Sequence, residues 1–225
     1  MIKILHLYYD LLNLYGENAN TKCLVNRLEK QKEKVKVDFK SVGDDIKIDD
    51  YDFIYVGSGS LESMELAKKD FKRLVKDIKK YIKDNKVLLA TGNSLELFEG
   101  ILDYKTKPID FRIVGDQVFE CDLIKKLVIG FQNRTSVIYD NKEDSLFTVK
   151  TGCGYDPKET KEGIKHNNFF GTYLLGPLLI RNPYFLEYIV KIILANKNLK
   201  YKRLNEDVSY AAYEEYLENF VYNKK

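Results

Sequence analysis

The residues best placed to do chemistry follow a short apolar run at 87–90, where the chain reads Thr91-Gly92-Asn93-Ser94. An apolar strand, an abrupt turn of small residues and a following helix form the arrangement in which α/β enzymes display a catalytic nucleophile. Such chemistry needs a nucleophilic side chain, an imidazole that takes and returns protons, and backbone N–H donors for the oxyanion. Here the tip of the turn is a glycine, Gly92, which offers no nucleophile.

A second group of small polar residues, Gly57-Ser58-Gly59-Ser60, follows the apolar run at 52–56. A glycine-rich loop between a strand and a helix can hold a phosphate at the helix N-terminus. This loop lacks the third glycine of a dinucleotide fingerprint and does not follow the first strand, so it argues only weakly for a nucleotide. The sequence also has no Gly-Lys-Ser/Thr loop and no metal-ligand spacing of His, Cys and Asp. We therefore expect no cofactor and no metal.

The N-terminal half predicts the sheet that would position these loops. Strands are predicted over 2–9, 35–42, 52–56 and 86–90, with helices over 21–34 and 61–85 between them. This alternation is typical of a doubly wound sheet. In the long helix, apolar residues recur at helical spacing opposite a lysine-rich face, which we interpret as solvated.

After Gly100 the pattern changes to short alternating runs, which predict antiparallel hairpins over 111–114, 117–120, 127–131, 136–139 and 147–150. A further strand is predicted over 169–175. Closing helices are predicted over 183–196 and from about Asp207 to Tyr222, the second carrying a tyrosine stripe for the core or for a partner. Because no repeat or linker interrupts the chain, we expect a single domain over residues 1–225.

Charge and composition exclude several partners. The 37 basic and 34 acidic residues are interleaved and give a net charge of +3, which argues against nucleic acid. Three widely spaced cysteines give neither a disulfide framework nor a metal knuckle and favour a reducing cytoplasm. The most apolar stretch, 184–195, is too short to span a bilayer and contains two charged residues, and the N-terminus lacks a signal-peptide profile. We therefore expect a cytoplasmic protein without direct membrane insertion.

Five segments carry a more specific pattern: residues 10–20 (DLLNLYGENAN), 57–60 (GSGS), the turn at Gly92, 130–133 (GFQN), and 171–179 (GTYLLGPLL) followed by Asn182-Pro183. Together they resemble the CobB/CobQ-type class I glutamine amidotransferases, and most nearly the GatD-type glutaminase subunits of lipid II isoglutaminyl synthase. The resemblance implies a flavodoxin-like α/β fold, a three-layer sandwich. Its sheet would be mixed and mainly parallel, with antiparallel additions in the C-terminal half.

The catalytic positions of that family differ in this chain. The family turn reads Cys-Gly-Gly-Tyr-Gln, and its nucleophilic cysteine falls on Gly92. The family segment Gly-Thr-Tyr-Leu-His-Gly-Pro carries the general base, and that histidine falls on Leu175. Of the two histidines in the chain, we expect His6 to be a satisfied core residue and His166 to lie at the surface. The resemblance therefore implies a catalytically degenerate protein.

Positions that would handle substrate differ as well. The family loop Gly-Gly-Gly-Ser-Asp-Arg-Glu-Gln is matched here by residues 57–64 (GSGSLESM), so that its arginine has become Glu62. A second family arginine falls on Val137, although Arg134 lies three residues earlier. Ser94 is expected to cap the helix after the turn. The candidates left to line a pocket are Ser58, Gly59, Asn93, Ser94, Asn133 and Arg134.

Three functions remain open. The first is a GatD-like subunit without glutaminase chemistry, which would be a docking or regulatory partner of a MurT-like Mur-ligase subunit in amidation of lipid II for peptidoglycan. The second is a stand-alone module that binds glutamine or another small molecule in the former glutamine pocket. The third is an active amidotransferase with an unconventional nucleophile, Thr91 or Ser94.

Overall fold

The computed structural model describes residues 1–204 and 208–223. Within them, nine strands, numbered β1 to β9 in chain order, form one sheet. The first four strands in this order are mutually parallel: β1 (Ile2–Leu7), β2 (Val35–Lys40), β3 (Phe53–Val56) and β4 (Val87–Thr91). Apart from the edge strand β2, they read as nearly continuous apolar runs because both faces of the sheet are covered.

Two apolar cores lie on opposite faces of the sheet. Alternate β1 residues divide between them: Ile2 and Ile4 pack with α1 (Asn18–Lys30), whereas Leu5 and Leu7 pack with α2 (Leu61–Phe71) and α3 (Val75–Lys83). Three short 3-10 helices lie in the connections of the chain: Leu14–Gly16 between the first strand and α1, Ile48–Asp50 between the second and third strands, and Gly92–Phe98 after the fourth. The predicted α/β fold is therefore confirmed, with helices on both faces of a mixed sheet.

The predicted long helix over 61–85 is in fact two helices. The chain tightens between α2 and α3, where the N–H groups of Arg73 and Leu74 bond to carbonyls three residues back, Asp70 O at 3.2 Å and Phe71 O at 2.8 Å. This tighter turn buries Leu74 in the core. Periodicity alone does not show the break because both helices keep an apolar face toward the sheet.

The C-terminal half contains the predicted antiparallel part of the sheet, in longer strands than expected. Runs predicted separately join into β5 (Lys105–Cys121) and β6 (Lys126–Tyr139), whose pairing shifts register between Pro108 and Ile113. The remaining strands are β7 (Asp144–Thr151), β8 (Lys161–His166) and β9 (Phe169–Thr172), and β9 lies parallel to β4. Across the sheet the strand order is β2-β1-β3-β4-β9-β8-β7-β5-β6. Strand β8 is largely polar and was not predicted, and β9 ends three residues earlier than predicted.

Three helices close the chain: α4 (Leu178–Arg181), α5 (Pro183–Asn196) and α6 (Val208–Leu217), which widens into a π-helical turn at Glu218–Tyr222. The bounds of α5 match the prediction, since Pro183 is suited to the first position of a helix. The predicted start of the last helix at Asp207 lies outside the described residues. No helix in the described ranges is long and apolar enough to cross a membrane.

Candidate functional site

A cavity of about 260 Å³ opens where β3 and β4 end. Five of the candidate residues line it. Ser58 and Gly59 come from the loop after β3, Asn93 from the turn after β4, and Asn133 and Arg134 from β6. The carboxyl ends of parallel strands are where α/β sheets place ligand sites, which explains why these sequence-distant segments meet.

Asn93 ties the loop after β3 to the turn after β4. Its Oδ1 accepts hydrogen bonds from Ser58 Oγ at 2.9 Å and from the Gly59 backbone N–H at 3.0 Å, and its Nδ2 donates to Gly59 O at 2.7 Å. A backbone N–H that stabilises an oxyanion must be available at the reacting centre. The Gly59 N–H is instead already bonded to a side-chain amide.

Gly92 keeps the conformation of a strained turn without a nucleophile. Its φ is +64°, in the left-handed region that glycine adopts without penalty. A Cβ built on Gly92 would lie 2.5 Å from Ser58 Oγ and 2.7 Å from Leu175 Cδ2. The side chains of Ser58 and Leu175 therefore occupy the space in which a nucleophilic side chain would stand.

Leu175, at the family's general-base position, is buried and joins the segment after β9 to β6. Its N–H donates to Phe131 O at 2.8 Å, and the Phe131 N–H donates to Leu175 O at 3.4 Å. An aliphatic side chain at this point can pack but cannot take up a proton. No imidazole lies among the residues that line the cavity.

The two histidines lie elsewhere. His6 is buried in β1, with Nδ1 at 3.1 Å from Thr21 Oγ1, and burial lowers its pKa to about 4. Its Nε2 has no hydrogen-bond partner among the described residues, so the expectation of a fully satisfied core residue is wrong in that respect. His166 is half-exposed, as expected of a surface residue, and its Nδ1 lies 2.6 Å from Glu143 Oε2.

The hydroxyls beside Gly92 are buried and already bonded. Ser94 Oγ donates to the carbonyl oxygens of Thr91 (2.8 Å) and Val56 (3.1 Å) from inside the 3-10 helix. The prediction that Ser94 caps a helix is therefore wrong, and Ser94 does not line the cavity. Thr91 Oγ1 bonds to Glu17 Oε2 and lies 2.8 Å from the Tyr55 hydroxyl. Neither hydroxyl is exposed to a substrate.

A buried carboxyl group that the sequence analysis missed lies beneath the turn. Glu17, at the start of α1, accepts a 2.5 Å hydrogen bond from the Tyr55 hydroxyl, and Asn20 Nδ2 donates to the same hydroxyl at 2.8 Å. Burial raises the pKa of Glu17 to about 7, although the Thr91, Tyr55 and Gly176 donors favour its charged form. Its Oε1 has no well-formed hydrogen bond within the described residues. The carboxyl thus links α1, β3, β4 and the segment after β9.

Replacement of Glu17 by Gln should change how stability depends on pH. An acid whose folded pKa lies above its unfolded value binds the proton more tightly when folded, so its contribution to stability falls as pH rises from about 4.5 to about 7. Because Gln does not titrate, we expect the free energy of unfolding of Glu17→Gln to rise relative to that of the wild type over this interval. The difference between the two proteins should be on the order of 3 kcal/mol larger at pH 8 than at pH 4. Urea unfolding at several pH values measures the difference.

The exposed Glu29→Gln variant is the control for the same chemical change, and we expect it to follow the wild-type pH profile. A constant difference in stability between Glu17→Gln and the wild type from pH 4 to pH 8 would contradict the buried, proton-binding role of Glu17.

The two arginines at the cavity differ in burial. Arg134 is buried, and its donors reach Gln132 Oε1 at 3.1 Å and the carbonyl oxygens of Ser136, Tyr155 and Gly154 at 2.5–3.0 Å. Its guanidinium also lies 4.0 Å from the centre of the Tyr173 ring. Few of its donors remain for a ligand, so its part in the cavity is mainly structural.

Arg112, which the sequence analysis missed, is the exposed arginine of the cavity. It lies in the irregular part of β5, where its Nη1 donates to Asn133 Oδ1 at 2.7 Å, and Asn133 Nδ2 donates to the Tyr15 hydroxyl at 2.7 Å. Glu96 supplies a carboxylate to the same cavity. The arrangement can therefore bind a small polar molecule, but it contains no paired nucleophile and base.

The fold is similar to that of glutamine amidotransferase structures. Among solved structures, PurLQS from Thermotoga maritima superposes with a TM-score of 0.60 at 11% identity, over 88% of this chain and 98% of that one. A glutamine amidotransferase from the same organism superposes with a TM-score of 0.54 at 12% identity, over 95% of this chain and 89% of that one. At such low identity these likenesses show the fold alone.

Sequence relatives define the family. A GatD subunit of lipid II isoglutaminyl synthase (glutamine-hydrolyzing) from Staphylococcus aureus is 30% identical over 216 residues, covering 89% of this chain and 88% of the relative. The corresponding subunit from Streptococcus pneumoniae is 28% identical over 234 residues, covering 96% and 87%. No known family profile matches the chain. The chain belongs to the GatD family.

Proposed function

We propose that this chain is a GatD-type subunit that has lost cysteine-dependent glutamine hydrolysis. It acts in the cytoplasm as a docking or regulatory partner of a MurT-like ligase that amidates lipid II. The observation that carries the proposal is the space above Gly92, which is filled by Ser58 and Leu175. A site that had lost only its cysteine would keep this space open.

The differences from the family pattern at residues 92, 175 and 58 all act against glutamine hydrolysis. The family resemblance gives a cysteine, a histidine and a glycine at the positions of Gly92, Leu175 and Ser58. Exchange of the cysteine for glycine removes the nucleophile, and the larger side chains at 58 and 175 then occupy its place. The Asn93 amide bonds to the Gly59 N–H across the same gap. Nucleophile, base and a candidate oxyanion donor are thus all affected.

Ammonia release from glutamine tests the proposal, with the purified chain alone and with a Mur-ligase-like protein from the same genome. We expect no turnover above the buffer rate in either case. Gly92→Cys with Leu175→His should remain inactive because Ser58 still fills the nucleophile position, whereas adding Ser58→Gly should allow weak turnover. Turnover by the wild-type chain that Thr91→Ala or Ser94→Ala abolishes would overturn the proposal and identify a new nucleophile.

Co-purification of the chain with the Mur-ligase-like protein tests the partner role separately. We expect the tagged chain to co-purify with the Mur-ligase-like protein at a fixed ratio, and a monomeric chain that captures no such protein from its native lysate would contradict a subunit role.

The exposed Arg112 favours a second candidate function, a small-molecule-binding module. Arg112, Asn133 and Ser58 offer convergent polar groups in the cavity. A ligand at one hundred times its Kd adds about 2.7 kcal/mol of stability, which a thermal shift scan across amino acids detects. A shift that Arg112→Ala removes, together with failure to co-purify a ligase, would favour this function over the subunit role.

A further inference from the structure

Tyr15 has a backbone conformation that tyrosine rarely adopts. Its φ is +67° and its ψ is +21°, so it interrupts the short 3-10 helix Leu14–Gly16. This left-handed region is costly for a residue with a Cβ, and a bulky side chain stays there only where its surroundings hold it. Strained positions of this kind cluster at ligand clamps and switch segments. The conformation of Tyr15 therefore points to a role beyond the fold.

The side chain of Tyr15 ends a chain of hydrogen bonds at the candidate cavity. Asn133 Nδ2 donates to the Tyr15 hydroxyl at 2.7 Å, and Asn133 Oδ1 accepts from Arg112 Nη1 at 2.7 Å. The three residues come from the 3-10 helix, β6 and β5, and all of them line the cavity. The Tyr15 ring also meets the Phe131 ring edge-on, with 6.4 Å between their centres. We call the row Tyr15–Asn133–Arg112 the tyrosine strap.

The tyrosine strap lies on the solvent side of the cavity. Tyr15 is 39% exposed, and Arg112 is exposed as well. Three other residues line the same cavity with exposures of only 4%, 4% and 7%, and they are Ser58, Arg134 and Ser136. These exposures place the strap at the rim of the cavity and the three buried residues on its inner side.

Movement of the strap can be confined to two residues. Before them, the Leu14 N–H donates to a carbonyl oxygen of the loop after β3 at 2.9 Å, and after them, the Asn18 N–H donates to Asn13 Oδ1 at 2.8 Å. Between these fixed points Gly16 has a φ of +75° and nothing within 4 Å of a built Cβ. A glycine in open space can change its backbone angles at little cost. Tyr15 and Gly16 can therefore turn without a change in β1 or α1.

We propose that Tyr15 is a gate that controls the access of small molecules to the candidate cavity. In the closed state the Tyr15 hydroxyl bonds to Asn133 while the backbone bears the left-handed strain. The net gain from a partly exposed hydrogen bond is similar in size to the cost of that strain, so the closed and open states lie near each other in free energy. A small molecule that enters only the open cavity shifts the balance toward that state. The use of the gate rests on the second candidate function, in which the cavity holds a ligand.

The reactivity of a thiol on the inner side of the cavity tests the gate. Ser136→Cys supplies the thiol, and the exchange is mild because Ser136 Oγ makes only a long contact, of 3.5 Å, with the Tyr173 hydroxyl. Iodoacetamide labelling of the purified full chain is followed at residue 136 by peptide mass spectrometry. We expect labelling at least about tenfold slower than that of free cysteine, because the reagent enters only when the strap opens.

Two changes at Tyr15 divide the gate into its parts. Tyr15→Ala removes the ring and the hydroxyl, and we expect it to speed the labelling of residue 136 at least about tenfold. Tyr15→Phe keeps the ring and loses the hydrogen bond to Asn133, so the labelling should be about threefold faster.

Two controls separate the gate from a general loss of stability. Tyr9 has a similar exposure of 38% and an edge-on ring contact of its own, with Phe39, but lies outside the cavity lining. Tyr9→Ala and Tyr9→Phe should leave the labelling of residue 136 within about twofold. The native Cys121, buried in β5 at 2% exposure, reports global unfolding, and its labelling should be the same in all variants.

Three outcomes would overturn the gate: labelling of residue 136 at the rate of free cysteine in the presence of Tyr15, a change of less than about twofold with Tyr15→Ala, or a rise that Cys121 shares. These readouts need no ligand, no glutaminase activity and no ligase. A failure of the gate is therefore distinguishable from a failure of either candidate function.

Discussion

Gly92→Ala should destabilise the protein by about 2–5 kcal/mol. A residue with a Cβ in the left-handed region costs roughly 1–2 kcal/mol, and forcing extra atoms into a packed site adds about 1–3 kcal/mol. Both terms apply because φ is +64° and the new Cβ would overlap Ser58 and Leu175. Urea unfolding of the variant and the wild type measures the difference.

Gly100→Ala separates the backbone cost of a positive φ from the steric cost of the added Cβ. Gly100 has a φ of +83° and nothing within 4 Å of a built Cβ, so its replacement should show only the backbone cost of about 1–2 kcal/mol. The double variant Ser58→Gly with Gly92→Ala should recover part of the larger loss, because it reopens space beside residue 92. Equal losses at the two glycines, with no recovery in the double variant, would show that the position is not filled.

Arg134→Ala should have an effect as large, of about 3–5 kcal/mol. Removal of the buried guanidinium takes a donor from the carbonyl oxygens of Ser136, Tyr155 and Gly154, of which Tyr155 O keeps only a 3.4 Å bond from the Ile138 N–H. Buried polar groups that lose their partners are costly. It also removes the contact with the Tyr173 ring. Chemical denaturation, with circular dichroism to check the fold, measures the loss.

Arg112→Ala is the comparison at the same cavity. Because Arg112 is exposed, we expect its removal to change stability by no more than about 0.5 kcal/mol. Similar stabilities of the two arginine variants would contradict the structural assignment of Arg134 and return it to the ligand-binding candidates.

Much of the fold could be predicted because local pattern and tertiary structure agree. The apolar strands of the N-terminal half and the Pro183 start of α5 are examples. The break between α2 and α3 could not be predicted, since it depends on how Leu74 packs. Strand β8 was missed because a glutamate in a polar run predicts a loop. Glu162 is buried there by bonds from Thr172 Oγ1 and the Tyr173 N–H, contacts with a neighbouring strand.

The candidate site, like the fold, could be predicted only in part from the sequence. The sequence is enough to show that a glycine stands at the turn after β4 and that residue 175 cannot act as a general base. Three features depend on contacts between segments far apart in the chain. Ser58 fills the space beside Gly92, the Asn93 side chain bonds to the loop after β3, and Glu17 is buried. Ser94 was misinterpreted for a related reason: its hydroxyl bonds to carbonyl oxygens of β3 and β4 rather than to a helix N–H.

The packing of Ser58 and Leu175 against Gly92 also bears on the order in which mutations can act. A cysteine introduced first at 92 meets two side chains in its way and lowers stability before it can contribute any chemistry. A histidine introduced first at 175 has no thiol to activate. Serine at 58 must therefore give way before either change is productive. Under the proposed loss of glutamine hydrolysis, we therefore expect recovery of a hydrolase to need several substitutions in a restricted order, and single-step selection for glutaminase activity to yield no active variant.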